Sequence, residues 1–214
     1  MPRLTCDYGP TYGLAMPRKP RASYPGALQH VAVNGNNRQP MFLTDVDRKH
    51  CLSLLGESAA RYSWEVLSYC LMDTHWHLLV RTPEPTLSNG MRRLNSCYSL
   101  GFNRRHGRSG HSIRHRFMSV AVEDEAHMFE LTRYLPLNPV RGGLTRHPEA
   151  WIWSSYRAEL GVVPAPAWHH ARWSAELHGS YGHLRRFVAA GMAEPGAQWT
   201  PGSDPTLTPP RPEE

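Results

Sequence analysis

The sequence predicts an α+β fold in which helices pack on an antiparallel sheet. Some segments have an apolar residue at every second position, as strands do. Along the chain they alternate with segments whose apolar residues have helical spacing. In order, these segments read strand, helix, strand, strand, helix, strand and helix. Two of the strands are separated only by a polar break at Asp73-Thr74, which is typical of a β-hairpin. A short helical extension follows the last of these elements.

The boundaries of the elements follow from caps, turns and prolines. Thr44 or Asp45 caps the first helix. Pro136 and Pro139 predict that the third helix kinks or ends soon after Tyr134. The predicted strands are residues 28–33, 64–72, 75–81 and 118–122, and the predicted helices are residues 46–62, 87–103 and 123–134.

The chain of 214 residues is long enough for one compact domain with extensions. We expect a disordered N-terminal extension at residues 1–15, or an upstream start choice, followed by the main domain at residues 16–160. A helical extension at residues 161–194 contains a proline-rich linker and one short helix, at residues 174–190. Residues 195–214 are rich in proline and poor in apolar residues, which predicts a disordered tail.

Composition favours a polyanionic partner, because the formal net charge is +6 and the isoelectric point is about 9.4. The four cysteines are widely spaced and fit free thiols better than a disulfide framework or a zinc ribbon. No apolar stretch approaches the roughly 20 residues that cross a bilayer. The first 15 residues lack a secretory signal. We therefore expect a cytoplasmic protein without membrane contact.

Two histidines alternate on the second strand of the hairpin. Because successive side chains on a strand point to opposite faces, His75 and His77 share one face while Trp76 and Leu78 share the other. Two adjacent imidazoles can bind a divalent metal. The alternative is that they are ordinary residues of a half-buried strand, satisfied by water or by backbone carbonyls.

A long basic segment follows the hairpin. No Asp or Glu occurs between Thr86 and Val122. A planar guanidinium pairs two donors with phosphate oxygens, so we interpret this unopposed run as a phosphate-binding track. Its seven arginines are Arg92, Arg93, Arg104, Arg105, Arg108, Arg114 and Arg116.

A polar loop follows the first strand and contains Asn36, Asn37 and Arg38. Glycine and asparagine tolerate unusual backbone angles and can approach a phosphate or a base closely. The alternative is a plain turn with an exposed arginine.

An ordered set of motifs carries a resemblance to a known family. In sequence order they are Arg18-Lys19-Pro20-Arg21, Tyr24-Pro25-Gly26-Ala27, Gly35-Asn36-Asn37-Arg38-Gln39, the hairpin at residues 69–80, Phe102-Asn103-Arg104-Arg105-His106-Gly107, the segment around Tyr134 and Trp153-Ser154-Ser155-Tyr156. Together they resemble the IS200-like and REP-associated tyrosine transposases, within the single-tyrosine HUH nucleases. The resemblance extends from residue 16 to about residue 160. It implies a ferredoxin-like sheet with the tyrosine on the last helix.

The resemblance also implies roles for individual residues. Tyr134 would attack a DNA phosphodiester and form a 5′-phosphotyrosine link, and His75 and His77 would hold Mg²⁺ or Mn²⁺. Asn138 shares a helix face with Tyr134 if the helix persists past Pro136, and its amide oxygen is then a candidate third ligand. The alternative is that Asn138 ends the helix. We expect structural roles for Tyr98 and Tyr156, which are other possible nucleophiles.

Three positions depart from the family pattern. Thr74 stands where asparagine is common, His115 where glycine is usual and Gly142 where alanine is typical. None of them removes a proposed catalytic group, although His115 could alter the approach of the backbone to DNA.

The expected function is cleavage and rejoining of single-stranded DNA at hairpin or repeat sequences, by a monomer or a homodimer. The alternative is a domesticated protein that binds the same DNA without cleaving it. A metal-dependent hydrolase of small substrates is a third class, which explains the histidines but not the arginine-rich segment.

Overall fold

The computed structural model describes residues 24–114 and 116–192, apart from the side chain of Arg38. The predicted N-terminal extension, the basic segment at residues 18–21, His115 and the predicted tail lie outside this part of the chain. The elements in chain order are β1 (Ala27–Asn34), α1 (Asp45–Tyr62), β2 (Glu65–Leu71), β3 (His75–Thr82), α2 (Leu87–His106), β4 (Met118–Ala121), α3 (Glu125–Arg141), α4 (Tyr156–Glu159), α5 (Trp173–Leu177) and α6 (Tyr181–Ala190). Two 3₁₀ turns lie at Asn36–Arg38 and Pro148–Ala150.

The four strands form one antiparallel sheet in the order β2-β3-β1-β4. Helix α1 joins β1 to β2, and α2 joins β3 to β4, which gives the βαββαβ order of a ferredoxin-like fold. The predicted fold class is therefore confirmed.

Helices α1 and α2 cover one face of the sheet. The alternation along β3 sends Trp76, Leu78 and Val80 to this face, where all three are buried. The helices supply the other half of this core with apolar residues at helical spacing. They include Leu54, Leu55, Met91, Leu94, Tyr98 and Phe102.

Helices α3 and α5 cover the opposite face. Leu79 of β3 packs there against Leu131 and Tyr134 of α3, together with Trp173 of α5. His77 and Leu78 are adjacent on β3, so their side chains point to opposite faces of the sheet. His77 therefore points to this second face. The fold thus places the histidines of β3 under the helix that carries Tyr134.

Helix α3 continues through Pro136 and Pro139 and ends at Arg141. The prolines predicted that the helix kinks or ends soon after Tyr134, and the second of these alternatives is wrong. Each proline removes a helical hydrogen bond, at a cost of about 3 kcal/mol. Every residue from Tyr134 to Pro139 is buried, and this packing holds the segment helical despite the two losses.

The predicted helix at residues 174–190 is two helices, α5 and α6. Gly179 has a φ of 77°, which ends the first, and the side chain of Ser180 accepts a hydrogen bond from the backbone N–H of His183 at the start of the second. Leu184 of α6 is fully buried against Leu137 of α3 and Tyr156 of α4. Within the described ranges, no helix is both long and apolar enough to cross a membrane.

Candidate active site

His75 and His77 lie together on β3, on the face covered by α3. Their ring centroids are 5.0 Å apart and the rings are nearly perpendicular. His75 is half-buried at the end of the strand, with its Nδ1 atom 3.2 Å from Thr74 Oγ1. His77 is only 3% exposed. The pairing predicted from the alternation is therefore present in the fold.

A third histidine, His30 of β1, joins this pair. In the register of β1 and β3, His30 lies opposite Leu79, and Ala32, two residues further along β1, lies opposite His77. The Nε2 atom of His30 is 3.1 Å from His77 Nδ1, and the two rings stack with centroids 5.2 Å apart. His30 was not predicted as a site residue, because only the register between the two strands brings it beside His77.

Tyr134 packs edge-on against two of these rings. Its ring centroid is 5.4 Å from that of His77 and 5.8 Å from that of His30. The side chain is 4% exposed. Burial raises the pKa of Tyr134 to about 12, against the effect of a side-chain hydrogen bond with Asn138. The phenol therefore keeps its proton at neutral pH, and it lies beside the histidines of its own chain.

Asn138 lies one helical turn beyond Tyr134 and is also buried. Its Nδ2 atom donates a hydrogen bond of 2.8 Å to the main-chain oxygen of Tyr134. Because α3 continues to Arg141, Asn138 does not end the helix, and the condition for sharing a face with Tyr134 is met. Its amide oxygen remains a candidate ligand.

Burial keeps the three histidines neutral. Burial lowers the pKa of His30 to about 3, with a further contribution from His127. Burial lowers the pKa of His75 to about 4 even though Asp73 opposes the shift, and it holds the pKa of His77 well below the ordinary value. Neutral imidazoles are the form that binds metals.

The side chains of His75, His77 and Asn138 can supply some, but not all, of the ligands of a divalent metal. His77 Nε2 is buried and has no hydrogen-bond partner in the part of the chain that the structure describes. Imidazole nitrogens combined with an amide oxygen suit Mn²⁺. Across residues 24–114 and 116–192, no three His, Cys, Asp or Glu side chains group as a metal site. A metal here would therefore be held by His75 and His77, with Asn138 as the candidate third ligand and oxygens of water or phosphate completing the set.

Two loops lie beside the His75 end of the sheet. Asn34, which pairs with His75 across the sheet, accepts a hydrogen bond of 2.9 Å from the backbone N–H of Arg114. The backbone N–H of Asn36 donates to Ser112 O at 2.9 Å. Asn37 has a φ of 50°, the left-handed conformation that asparagine tolerates. The predicted polar loop and the end of the basic segment thus meet at this end of the sheet.

A Cβ atom added to Gly35 would lie 2.3 Å from the main-chain oxygen of Gln39, so glycine is required for this close approach. The backbone N–H of Gly35 donates to Thr74 O at 2.8 Å, which joins the loop to the hairpin turn.

The seven arginines of the basic segment do not form one unopposed track. Arg93 lies 3.7 Å from Glu57 of α1, and Arg105 pairs with the buried carboxylate of Asp47. The interpretation of the whole run as unopposed is wrong for these two residues, because helix packing brings carboxylates from a distant part of the sequence. Arg92 is exposed and lies roughly 18 Å along α2 from Arg104. Further exposed arginines of the segment include Arg104, Arg108, Arg114 and Arg116.

Tyr98 and Tyr156 belong to core clusters other than the one that contains Tyr134. The hydroxyl of Tyr98 donates to the main-chain oxygen of Met41 in the core beneath α1 and α2. Tyr156 is buried against Leu184 and Leu160. Both positions agree with the structural roles expected of them.

Comparison with known proteins identifies the family of the chain. The family described as transposase IS200-like matches residues 24–136, which is more than half of the chain. A protein of Haemophilus influenzae, provisionally named a REP-associated tyrosine transposase, is 22% identical over 146 residues, which cover 63% of this chain and 82% of the relative. A solved structure of a REP-associated tyrosine transposase bound to a REP hairpin shares the fold, with a TM-score of 0.59 and 19% identity over 71% of this chain and 89% of its own. The chain therefore belongs to the family of IS200-like transposases.

Proposed function

We propose that the protein cleaves and rejoins single-stranded DNA at hairpin or repeat sequences, with Tyr134 as the nucleophile. The observation that carries this proposal is the edge-on contact of Tyr134 with His77 and His30 on the covered face of the sheet. Family membership supports the reaction class. All the proposed groups come from one chain, so a monomer suffices for the chemistry.

In the proposed reaction, the phenol oxygen of Tyr134 bonds to the scissile phosphorus and the bond from phosphorus to the 3′ oxygen breaks. The phenol loses its proton, and the leaving oxygen gains one to become a 3′-hydroxyl. The product is a 5′-phosphotyrosine link. Because no water is consumed, the reverse reaction with a 3′-hydroxyl rejoins a strand.

The chain's own residues prepare this step. The neutral imidazoles of His75 and His77 offer lone pairs to Mg²⁺ or Mn²⁺, and Asn138 offers its amide oxygen. Such a metal, when bound, polarises the phosphate and stabilises the charge on the leaving oxygen. The edge-on packing of Tyr134 against His77 places the phenol ring beside these histidines.

We propose that the DNA strand runs across the end of the sheet beside His75. The loop that contains Asn36, Asn37 and Arg38 connects this end of the sheet to the hairpin turn, and the backbone of Arg114 is bonded to the same end. The net charge of +6 supports a polyanionic partner. The solved structure that shares the fold holds a REP hairpin, which supports a hairpin substrate. The other exposed arginines proposed for this surface are Arg104, Arg108 and Arg116.

The candidate for a second function is a protein that binds DNA hairpins without cleaving them. The observation that favours it is the burial of Tyr134, which leaves the phenol little access to a phosphate unless DNA binding rearranges α3 or the loops beside it. Binding requires only the arginines and the polar loop.

Covalent adduct formation separates the two functions. Labelled single-stranded hairpins from repeats that flank the native gene are incubated with the protein and Mn²⁺ or Mg²⁺, then resolved under denaturing conditions. The proposal predicts an adduct that is lost in Tyr134→Phe and in His77→Ala. The control Tyr181→Phe changes an exposed tyrosine of α6 and retains the adduct. Salt-sensitive binding of the same hairpins without any adduct would favour the non-cleaving function.

A further inference from the structure

The contact between His30 and His77 joins two buried, neutral imidazoles. A neutral imidazole carries a single N–H, so the 3.1 Å contact between His30 Nε2 and His77 Nδ1 contains one hydrogen, donated by one ring to the other. The choice of donor decides the state of the second nitrogen of His77.

A metal at His77 requires one of the two arrangements, because Nδ1 of His77 faces His30 and only Nε2 is left to bind the metal. If His30 donates, the proton of His77 lies on Nε2, and that nitrogen has no lone pair for a metal. If His77 donates from Nδ1, then Nε2 carries a lone pair that can bind a cation, and the contact with His30 is satisfied.

We propose that His30 is a positioning residue that accepts the Nδ1–H of His77, fixes the tautomer and ring orientation of His77, and thereby directs its Nε2 lone pair at the metal. This inference rests on the proposed function, because it needs a metal at His75 and His77. Metal-binding histidines commonly donate their second N–H to a neighbouring acceptor, and loss of that acceptor weakens metal binding.

The position of His30 suits this role. It lies on β1, the neighbour of β3 in the sheet, so backbone hydrogen bonds on both strands hold the two rings in register. Its ring is fully buried and also contacts the ring of Tyr134 edge-on. One side chain therefore supports both the proposed ligand and the proposed nucleophile.

The tautomer can be observed directly in the full-length, metal-free wild-type protein. Long-range ¹H–¹⁵N correlation spectra distinguish protonated from unprotonated ring nitrogens. At neutral pH we expect His77 to be protonated on Nδ1 and unprotonated on Nε2. Protonation of His77 on Nε2 would overturn the inference, whatever the outcome of the cleavage assay.

Substitutions of His30 test the consequence for the metal. The amide oxygen of glutamine can accept from His77, whereas phenylalanine cannot. Titration with Mn²⁺ alone, followed by calorimetry, should show affinity reduced about 10- to 100-fold in His30→Phe and much closer to wild type in His30→Gln. Circular dichroism and hairpin binding in EDTA confirm that both variants are folded.

The outcomes separate this inference from the proposed function. Equal Mn²⁺ affinity in wild type and His30→Phe would overturn the role of His30 and leave the metal site standing. A wild-type protein that binds no Mn²⁺ would overturn the proposed metal site, and the role of His30 with it. If His30→Phe does not fold, the tautomer of His77 in the wild-type protein decides.

Discussion

Burial opposes ionisation of Tyr134 and of the histidines around it. Burial disfavours the charged form of each group, so it raises the pKa of the phenol and lowers the pKa values of His30, His75 and His77. A dry sheet face tolerates these polar side chains because none of them carries a charge.

His169 should make the protein sensitive to acid. Its Nε2 atom lies 3.1 Å from Leu67 O, and burial lowers its pKa to about 4. As the pH falls below about 6.5, the histidine takes up a proton in the unfolded chain before it does so in the folded protein. The contribution of His169 to the free energy of unfolding is therefore complete above about pH 6.5. It decreases as the pH falls toward 4, by about 2 kcal/mol at pH 5.

Urea unfolding of wild type and His169→Gln at pH 7 and pH 5 checks this prediction. The difference in unfolding free energy between the two pH values should be smaller in His169→Gln. The exposed neighbour His170 supplies the control His170→Gln, which should keep the wild-type difference. An unchanged pH dependence in His169→Gln would contradict the assignment.

Arg114 and Arg93 should differ in their contribution to hairpin binding. Arg114 is exposed beside the His75 end of the sheet, whereas Arg93 is paired with Glu57 on α1. Arg114→Ala should weaken hairpin binding and reduce the slope of log Kd against log salt by about 1. Arg93→Ala should leave the slope unchanged. Equal losses in fluorescence anisotropy titrations would show that the DNA path extends along α2.

At the scale of elements, alternation was enough to pair two residues of the site. The two-residue period put His75 and His77 on one face of β3. Tyr134 was assigned from the family resemblance, and the structure packs it against the sheet face that α3 covers. His30 could not be placed, because its contact with His77 depends on the register between β1 and β3. The pairing of Arg105 with Asp47 was missed for a related reason, since it depends on how α1 packs on α2.

The end of α3 was predicted wrongly because local rules cannot measure tertiary burial. Pro136 and Pro139 are unfavourable in an isolated helix, but in the protein they are buried together with Leu137. The longer helix is what keeps Asn138 on the face of Tyr134.

The packing of α2 on Trp64 gives a test at this scale. A Cβ atom on Gly90 would lie 2.2 Å from Cζ2 of Trp64, whose Nε1 donates to Thr86 Oγ1 at 3.0 Å. Gly90→Ala should therefore lower the unfolding free energy by about 1–3 kcal/mol, despite the better helix propensity of alanine.

The matched control is Gly182→Ala on α6, where the nearest atom to an added Cβ lies 3.7 Å away. That change should be neutral or stabilise the protein by up to about 1 kcal/mol. Thermal and urea unfolding measure both variants. A stabilised Gly90→Ala protein would mean that Trp64 does not hold its position against α2.

At the scale of the whole molecule, the C-terminal helices complete the core on the α3 face. Trp173 packs in the cluster that contains Tyr134, and Leu184 and Val188 pack against Leu137. The buried carboxylate of Glu159 accepts a hydrogen bond of 2.8 Å from Ser68 Oγ, which ties α4 to β2. These helices therefore support α3, and through it the position of Tyr134.

Leu184→Ala tests this support. Leu184 is fully buried, so its truncation should cost about 2–5 kcal/mol and lower Tm by about 5 to 15 °C. The exposed Arg186 on the same helix supplies the control Arg186→Ala, which should change stability by no more than about 0.5 kcal/mol. A wild-type Tm in Leu184→Ala, measured by calorimetry, would show that α6 does not stabilise the domain.

The position of the covalent link to DNA tests the central claim most directly. The adduct formed with a hairpin substrate is digested with protease and nuclease, and the modified peptide is sequenced by mass spectrometry. We expect a nucleotide joined through its 5′-phosphate to Tyr134, in the peptide that also contains Asn138. A nucleotide on another residue, such as Tyr98 or Tyr156, or an adduct that persists in Tyr134→Phe, would contradict the assignment of Tyr134 as the nucleophile.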